Sequence, residues 1–187
     1  IVINRFRGDR TLFDEGALWI EQRTGLPILG VVPWLFDAHI ESEDGLPVDT
    51  VLDPPPPTDR GQCHVAVLRL PHIANFTDFD ALTRIGVPVH YLSKPRDLSP
   101  YDLVVLPGSK NTRGDFAWLR KRGWEPVLQQ AHAAEQAMLG ICGGLQMMGR
   151  TIADPEGIEG EAGTTAGLGF LPLDTTLSRS KRTCRSQ

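Results

Sequence analysis

The sequence predicts an α/β fold in which a mostly parallel sheet is flanked by helices. Three observations carry that expectation. The first is a series of short, continuously apolar runs such as Val65–Leu68 and Leu103–Leu106. Strands buried on both faces read this way, and such strands belong to parallel sheets. The second is that segments of helical spacing lie between these runs, the alternation of βαβ units. The third is that two of the runs end in glycine turns, Pro107-Gly108-Ser109 and Cys142-Gly143-Gly144. In parallel sheets, functional turns gather at the carboxyl ends of the strands.

Taken in order, Ile1-Val2-Ile3-Asn4 is a β-branched run, and Arg5–Asp9 reads as a loop. Asp14–Arg23 has helical spacing, with Gly25 placed to end it. Pro27–Val32 is a second run of strand length. Two strands around one helix make a βαβ unit with parallel strands. Such a unit buries little core alone. Residues 1–53 are therefore expected to be the incomplete C-terminal end of a larger α/β domain, with Ile1 not a natural N-terminus. Glu41-Ser42-Glu43-Asp44 reads as solvated surface. Pro54-Pro55-Pro56-Pro57 marks a boundary, because four prolines favour a stiff polyproline II spacer; residues 54–61 are read as this linker.

A second α/β region is expected over 62–187. His64–Leu70 is a buried strand, Asp78–Arg84 a short helix, and Val87–Leu92 a weaker strand whose Pro88 suits a sheet edge. Leu103–Leu106 is a central strand. Thr112-Arg113-Gly114-Asp115 has capping-box spacing ahead of a helix carrying Phe116, Trp118 and Leu119, which Gly123 closes. A further helix spans about 126–135. After Gly149 come an acidic, glycine-rich loop over 154–167 and a strand-like segment, Gly169–Leu173.

With 187 residues and 41% hydrophobic content, the chain can build a core. A net charge of −4 with scattered basic residues gives no footprint for nucleic acid. No apolar run approaches the roughly 20 residues that span a bilayer, and no signal peptide is visible. Cys63, Cys142 and Cys184 have neither disulfide nor zinc spacing; no metal site is expected, and a reducing cytoplasm suits them.

The chemistry centres on Ala137–Gly149. A short apolar run passes Gly140, Cys142, Gly143 and Gly144, then continues as Leu145, Gln146, Met147 and Met148. This reads as strand, sharp turn and helix, a nucleophile elbow of the form G-x-C-x-G with cysteine at its apex. A helix starting near Gly143 points its positive end at the sulfur, favouring thiolate. A buried structural cysteine in a glycine-rich turn is the plainer alternative. If the strands before Cys142 and Gly108 are neighbours, their turns face one another. The backbone N–H groups of Gly143 and Gly108 could then form an oxyanion hole. For Gly108 alone, an ordinary turn glycine explains the sequence equally well.

Gly140–Gly144 together with Leu106-Pro107-Gly108-Ser109 resembles the triad-type (Cys-His-Glu) glutamine amidotransferases. Leu106–Thr112, Arg69–Asp80 and Ile3–Asp9 are similar, in content and order, to the cobyric acid synthase family over Ile3 to about Thr176. The resemblance implies an amidotransferase (flavodoxin-like) domain preceded by the end of a P-loop ATPase-like domain. It implies an ATP-dependent amidase of cobalamin biosynthesis. Such a ligase hydrolyses glutamine and passes ammonia to side-chain carboxylates of adenosylcobyrinic acid a,c-diamide, making cobyric acid. Cys142 matches the nucleophile, and Gly143 and Gly108 match the oxyanion-hole positions. Gln146 matches a position that contacts bound glutamine, although a surface amide is a close alternative. Glutamine and a corrinoid are the implied partners, without nucleic acid or membrane; a homo-oligomer is compatible. ATP and Mg belong to the full-length parent, and none is expected on this segment.

The sequence departs from the family at both ends. Of its histidines (His39, His64, His72, His90 and His132), none follows Cys142, where the family's catalytic base lies. No G-x-x-x-x-G-K-[ST] segment is present. Lys181-Arg182-Thr183 is family-like, but the expected glycine-rich strand does not follow it. The expectation is therefore a fragment that carries the nucleophile half of a glutaminase site and is inactive alone. Two other readings stay open: an amidotransferase-like amidase of another carboxylate, and a non-catalytic binding module of the same fold.

Overall fold

The structure, a computed structural model, describes residues 1–6, 10–33 and 53–180. The readings at Arg7–Asp9, His39, Glu41–Asp44, Lys181–Thr183 and Cys184 lie outside the described residues. The chain divides into two compact units, 1–41 and 42–187.

The first unit holds β1 (Val2–Phe6), a 3-10 turn, α1 (Asp14–Thr24) and β2 (Gly30–Pro33). The two strands pair in parallel, with Val2 opposite Gly30. Helix α1 stops where Gly25 turns left-handed, at φ 68°, and the Gly25 N–H donates to the Glu21 carbonyl. Helix α1 buries no residue, and Leu18 and Trp19 stand 58% and 64% exposed.

The second unit begins with β3 (Val65–Leu68), β4 (Ile73–Ala74), α2 (Asp80–Arg84), β5 (Val89–Leu92) and β6 (Leu103–Leu106). After these come β7 (Gly108–Ser109), α3 (Thr112–Arg122), α4 (Trp124–Ala133), β8 (Met138–Gly140) and α5 (Gly143–Met148). The unit closes with β9 (Thr151–Asp154), β10 (Gly163–Ala166) and β11 (Asp174–Thr176). The main sheet is parallel throughout, in the order β5-β3-β6-β8. Counting these strands along the chain, the order is second, first, third, fourth. That is the flavodoxin-like arrangement, with its crevice at the carboxyl ends of β3 and β6. β3 and β6 supply the middle of the core: Val65–Leu68 are at most 3% exposed and Val104–Leu106 at most 1%. Phe116, Leu119, Trp124, Leu128 and Met147 pack around them.

Four local differences from the sequence reading have physical causes. The N-cap of α3 is Asn111, whose side chain accepts the Gly114 N–H at 3.1 Å; Asp115 turns inward and caps nothing. Helix α4 starts at Trp124, two residues early, because Pro126 fits the first turn, where no intrahelical N–H is missed. The acidic loop read over 154–167 contains strand β10, which pairs antiparallel with β9 just before the loop. Finally, 169–173 is no strand. The Leu168 and Leu171 N–H groups instead satisfy the Met147 and Met148 carbonyls at the end of α5, at 2.8 and 3.0 Å, and the strand begins at Asp174, parallel to β9.

The proline run is docked on the second unit. The Asp53 carboxylate accepts the Ser93 and Lys94 N–H groups, at 2.9 Å each. Arg96 donates to the Pro54 carbonyl at 2.6 Å, and the Asp59 carbonyl meets His64 Nε2 at 3.0 Å. Residues 53–59 thus reach from the end of outer strand β5 to the start of β3.

Candidate active site

Strand β8 delivers Cys142. Its ladder with β6 continues one step past Gly140, where the Ile141 N–H donates to the Leu106 carbonyl at 2.9 Å. Cys142 then takes φ 48° and ψ −109°, a conformation that costs a non-glycine residue on the order of 1–3 kcal/mol. Helix α5 starts at the next residue, and Cys142 is exposed. The flanking glycines answer to crowding. A β-carbon at Gly144 would stand 1.9 Å from the Leu106 carbonyl oxygen, and one at Gly140 would stand 2.6 Å from Leu145 Cα. Only hydrogen fits at either place, so the G-x-C-x-G spacing records a turn pressed against β6. Gln146 is half-buried one turn along α5, and its N–H donates to the Cys142 carbonyl at 3.1 Å.

The two glycine turns do meet, because β6 and β8 are neighbours. A β-carbon at Gly108 would lie 3.8 Å from Cys142 Cβ and 3.5 Å from Ala74 Cβ. Strand β7 pairs antiparallel with β4, with Gly108 opposite Ala74. The Lys110 N–H donates to the His72 carbonyl at 2.9 Å. Alternation along an antiparallel pair then directs the Gly108 N–H to the Ala74 carbonyl. The Ser109 N–H points the opposite way, and the Ser109 nitrogen is 3.1 Å from where a Gly143 β-carbon would be. The Gly143 N–H, at the first position of α5, has no acceptor within its helix. Beside the exposed sulfur, then, the donors on this edge belong to Gly143 and Ser109, while Gly108 lends closeness. The sequence alone could not assign this, since the direction of each N–H follows from the pairing with β4.

A buried carboxylate lies behind the Ser109 turn. Asp115 is fully buried. It accepts the Ser109 hydroxyl at 2.6 Å, His72 Nδ1 at 2.8 Å, and the His72 N–H at 3.2 Å. The Ser109 oxygen in turn accepts the Asn111 N–H at 3.0 Å. A second buried carboxylate, Asp154, accepts the Ile158 and Glu159 N–H groups at 2.8 and 2.9 Å. Those bonds, above all the one from Ile158, hold it below the usual carboxylate range, with Arg113 adding to the effect. The Arg113 N–H donates to Glu159 at 3.0 Å, which fastens the 155–162 segment to the start of α3.

The remaining described histidines have structural places. His64 and His90 meet edge to face at 5.5 Å, and His132 stacks on Phe170 at 4.2 Å. Among the described residues, no group of three or more His, Cys, Asp or Glu side chains is placed to hold a metal ion. Among the described residues, no helix is long and apolar enough to cross a membrane.

Residues 64–187 match the CobB/CobQ-like glutamine amidotransferase domain. A cobyric acid synthase from Chlorobium phaeobacteroides (strain BS1) is 47% identical over 183 residues, 97% of this chain and 37% of that protein. Cobyric acid synthases from Chlorobaculum tepidum and Roseiflexus castenholzii are each 44% identical over 187 residues, 100% of this chain and 37% of theirs. The chain therefore spans about 37% of the length of these curated relatives. A solved structure of PurLQS from Thermotoga maritima aligns over 46% of this chain and 42% of its own, at 23% identity and a TM-score of 0.40, too partial a likeness to bear on the fold. On the match over 64–187, with a parallel sheet that ends in the Cys142 and Gly108 turns, the chain belongs to the CobB/CobQ-like glutamine amidotransferase family.

Proposed function

We propose that Cys142 is the nucleophile of a glutaminase half-reaction. Its sulfur attacks the side-chain amide carbon of glutamine, forming a tetrahedral oxyanion. The oxyanion collapses to a thioester as the C–N bond breaks and the NH2 group, taking a proton from water, leaves as ammonia; a water molecule then cleaves the thioester C–S bond, releasing glutamate and restoring the thiolate. The Gly143 N–H is one oxyanion donor. The Gly108 turn supplies the other, through the Ser109 N–H that follows Gly108. Gln146 contacts the bound glutamine. The observation that carries this reading is the Cys142 turn itself: an exposed sulfur on a strained apex, pressed against the Gly108 turn.

The protein of which this chain is a part uses that ammonia to amidate side-chain carboxylates of a corrinoid, with ATP and Mg as its activating system. Identities of 44–47% to cobyric acid synthases support this. Residues 1–53 are the end of its synthetase domain, and the reaction is cytoplasmic. The 45 residues after Cys142 contain no histidine, so within them no imidazole hands a proton to the departing ammonia.

A chloroketone analogue of glutamine tests the nucleophile. It is expected to label the wild-type chain once and the Cys142→Ser chain not at all. Failure to label the wild type would favour a binding module. The isolated chain is expected to release no ammonia at steady state, and sustained turnover would overturn the half-site reading.

A further inference from the structure

We propose that Asp115 is a positioning residue for the oxyanion site: it fixes the Ser109 N–H against the Gly143 edge of the Cys142 turn. The inference rests on the glutaminase reading above and goes beyond it.

Asp115 sits in the first turn of α3 and is fully buried. Removing a carboxylate from water costs several kcal/mol, and a well-packed apolar side chain generally does as well for stability. What a carboxylate adds is direction. Here it accepts from two separate segments. One oxygen takes the Ser109 hydroxyl at 2.6 Å. The other takes His72 Nδ1 at 2.8 Å, and the His72 N–H reaches both oxygens, at 3.3 and 3.2 Å. His72 immediately precedes β4, and Ser109 ends β7. A single side chain therefore clamps the two segments that bridge the crevice between β3 and β6.

The clamp acts on the backbone of Ser109. The Ser109 oxygen donates to Asp115 and accepts the Asn111 N–H at 3.0 Å, so both of its bonds are committed and its rotamer is set. β4 occupies one edge of the turn, through Lys110 and His72. The Ser109 N–H is left facing the other edge, where its nitrogen is 3.1 Å from the β-carbon site of Gly143. Thr112 Oγ1 closes the same edge, 3.0 Å from that site. Weakening Asp115 frees the turn to rotate, and a rotated N–H no longer meets the oxyanion. The sulfur, carried by β8 and α5, stays in place.

The test compares two reagents on the 187-residue chain. The chloroketone glutamine analogue places a ketone oxygen where the oxyanion forms; iodoacetamide, with its label read at the Cys142 peptide because Cys63 is also exposed, reports on the Cys142 sulfur alone. In Asp115→Asn, the maximal rate of chloroketone labelling is expected to fall at least about tenfold. Its half-saturation concentration and the iodoacetamide rate are expected to stay within about twofold. Ser109→Ala keeps the His72 bonds to Asp115 and is expected to shift the same rate in the same direction, so it decides the matter if Asp115→Asn unfolds. An unchanged chloroketone rate in the folded variants overturns the proposal, as does a parallel loss of iodoacetamide reactivity. A wild-type chain that reacts with iodoacetamide but not with the chloroketone overturns the glutaminase reading itself, and this proposal with it.

Discussion

Cys142 holds a backbone conformation that glycine adopts freely and cysteine does not. Cys142→Gly is therefore expected to be more stable than Cys142→Ala by about 1 kcal/mol, measured by urea unfolding, with neither variant labelled. Equal stabilities would mean that the apex carries no strain. Gly144 makes the opposite case. With 1.9 Å between its missing β-carbon and the Leu106 oxygen, Gly144→Ala must part β6 from α5. A loss of at least about 3 kcal/mol is expected; a loss under 1 kcal/mol would mean that the turn yields easily. At Asn111, loss of the cap to Gly114 in Asn111→Ala is expected to cost about 1 kcal/mol.

At the scale of elements, the proline run behaves as part of the second unit, and strand β5 of that unit carries a pH-sensitive group, His90. Burial lowers the pKa of His90 from 6.5, and the charges of His64 and Arg96 add to the shift. The unfolded chain thus binds this proton more readily than the folded one. The stabilising contribution is complete above pH 6.5 and is lost as pH falls below it. Asp53 is also affected by burial, but the bonds from Ser93 and Lys94 and the Arg96 charge outweigh that and lower its pKa from 3.8, so it stays ionised in this window. The melting temperature is expected to drop between pH 6.5 and 5, less steeply in His90→Gln; identical slopes would remove His90 from the account. The sequence carried the strands well, because Val65–Leu68 and Leu103–Leu106 are apolar on both faces. It misled where an element serves its neighbours: Gly169–Leu173 looks like strand, but its Leu171, with Leu168 just before it, caps α5. The Cys142 apex was legible from its glycines. The placement of Ser109 and Asp115 beside it was not, since that depends on β4 reaching across from β3.

Over the whole molecule, protection should be uneven. Helix α1 buries nothing and β1 has one described partner, whereas β3 and β6 are enclosed. Hydrogen exchange is expected to be faster over 2–6 and 10–33 than over 65–68 and 103–106; slower exchange in the first unit would contradict this. The strand order has a further consequence, one of timing. The contacts that press on the Cys142 turn from the end of β6, from β7 and from α3 (Leu106, Ser109 and Thr112) come from chain that is synthesised before it. A growing polypeptide can therefore lay down β3, β5 and β6 before residue 142 leaves the ribosome. The reactive turn then arrives against a wall already standing, and the residues that cap the far end of α5, Leu168 and Leu171, follow it.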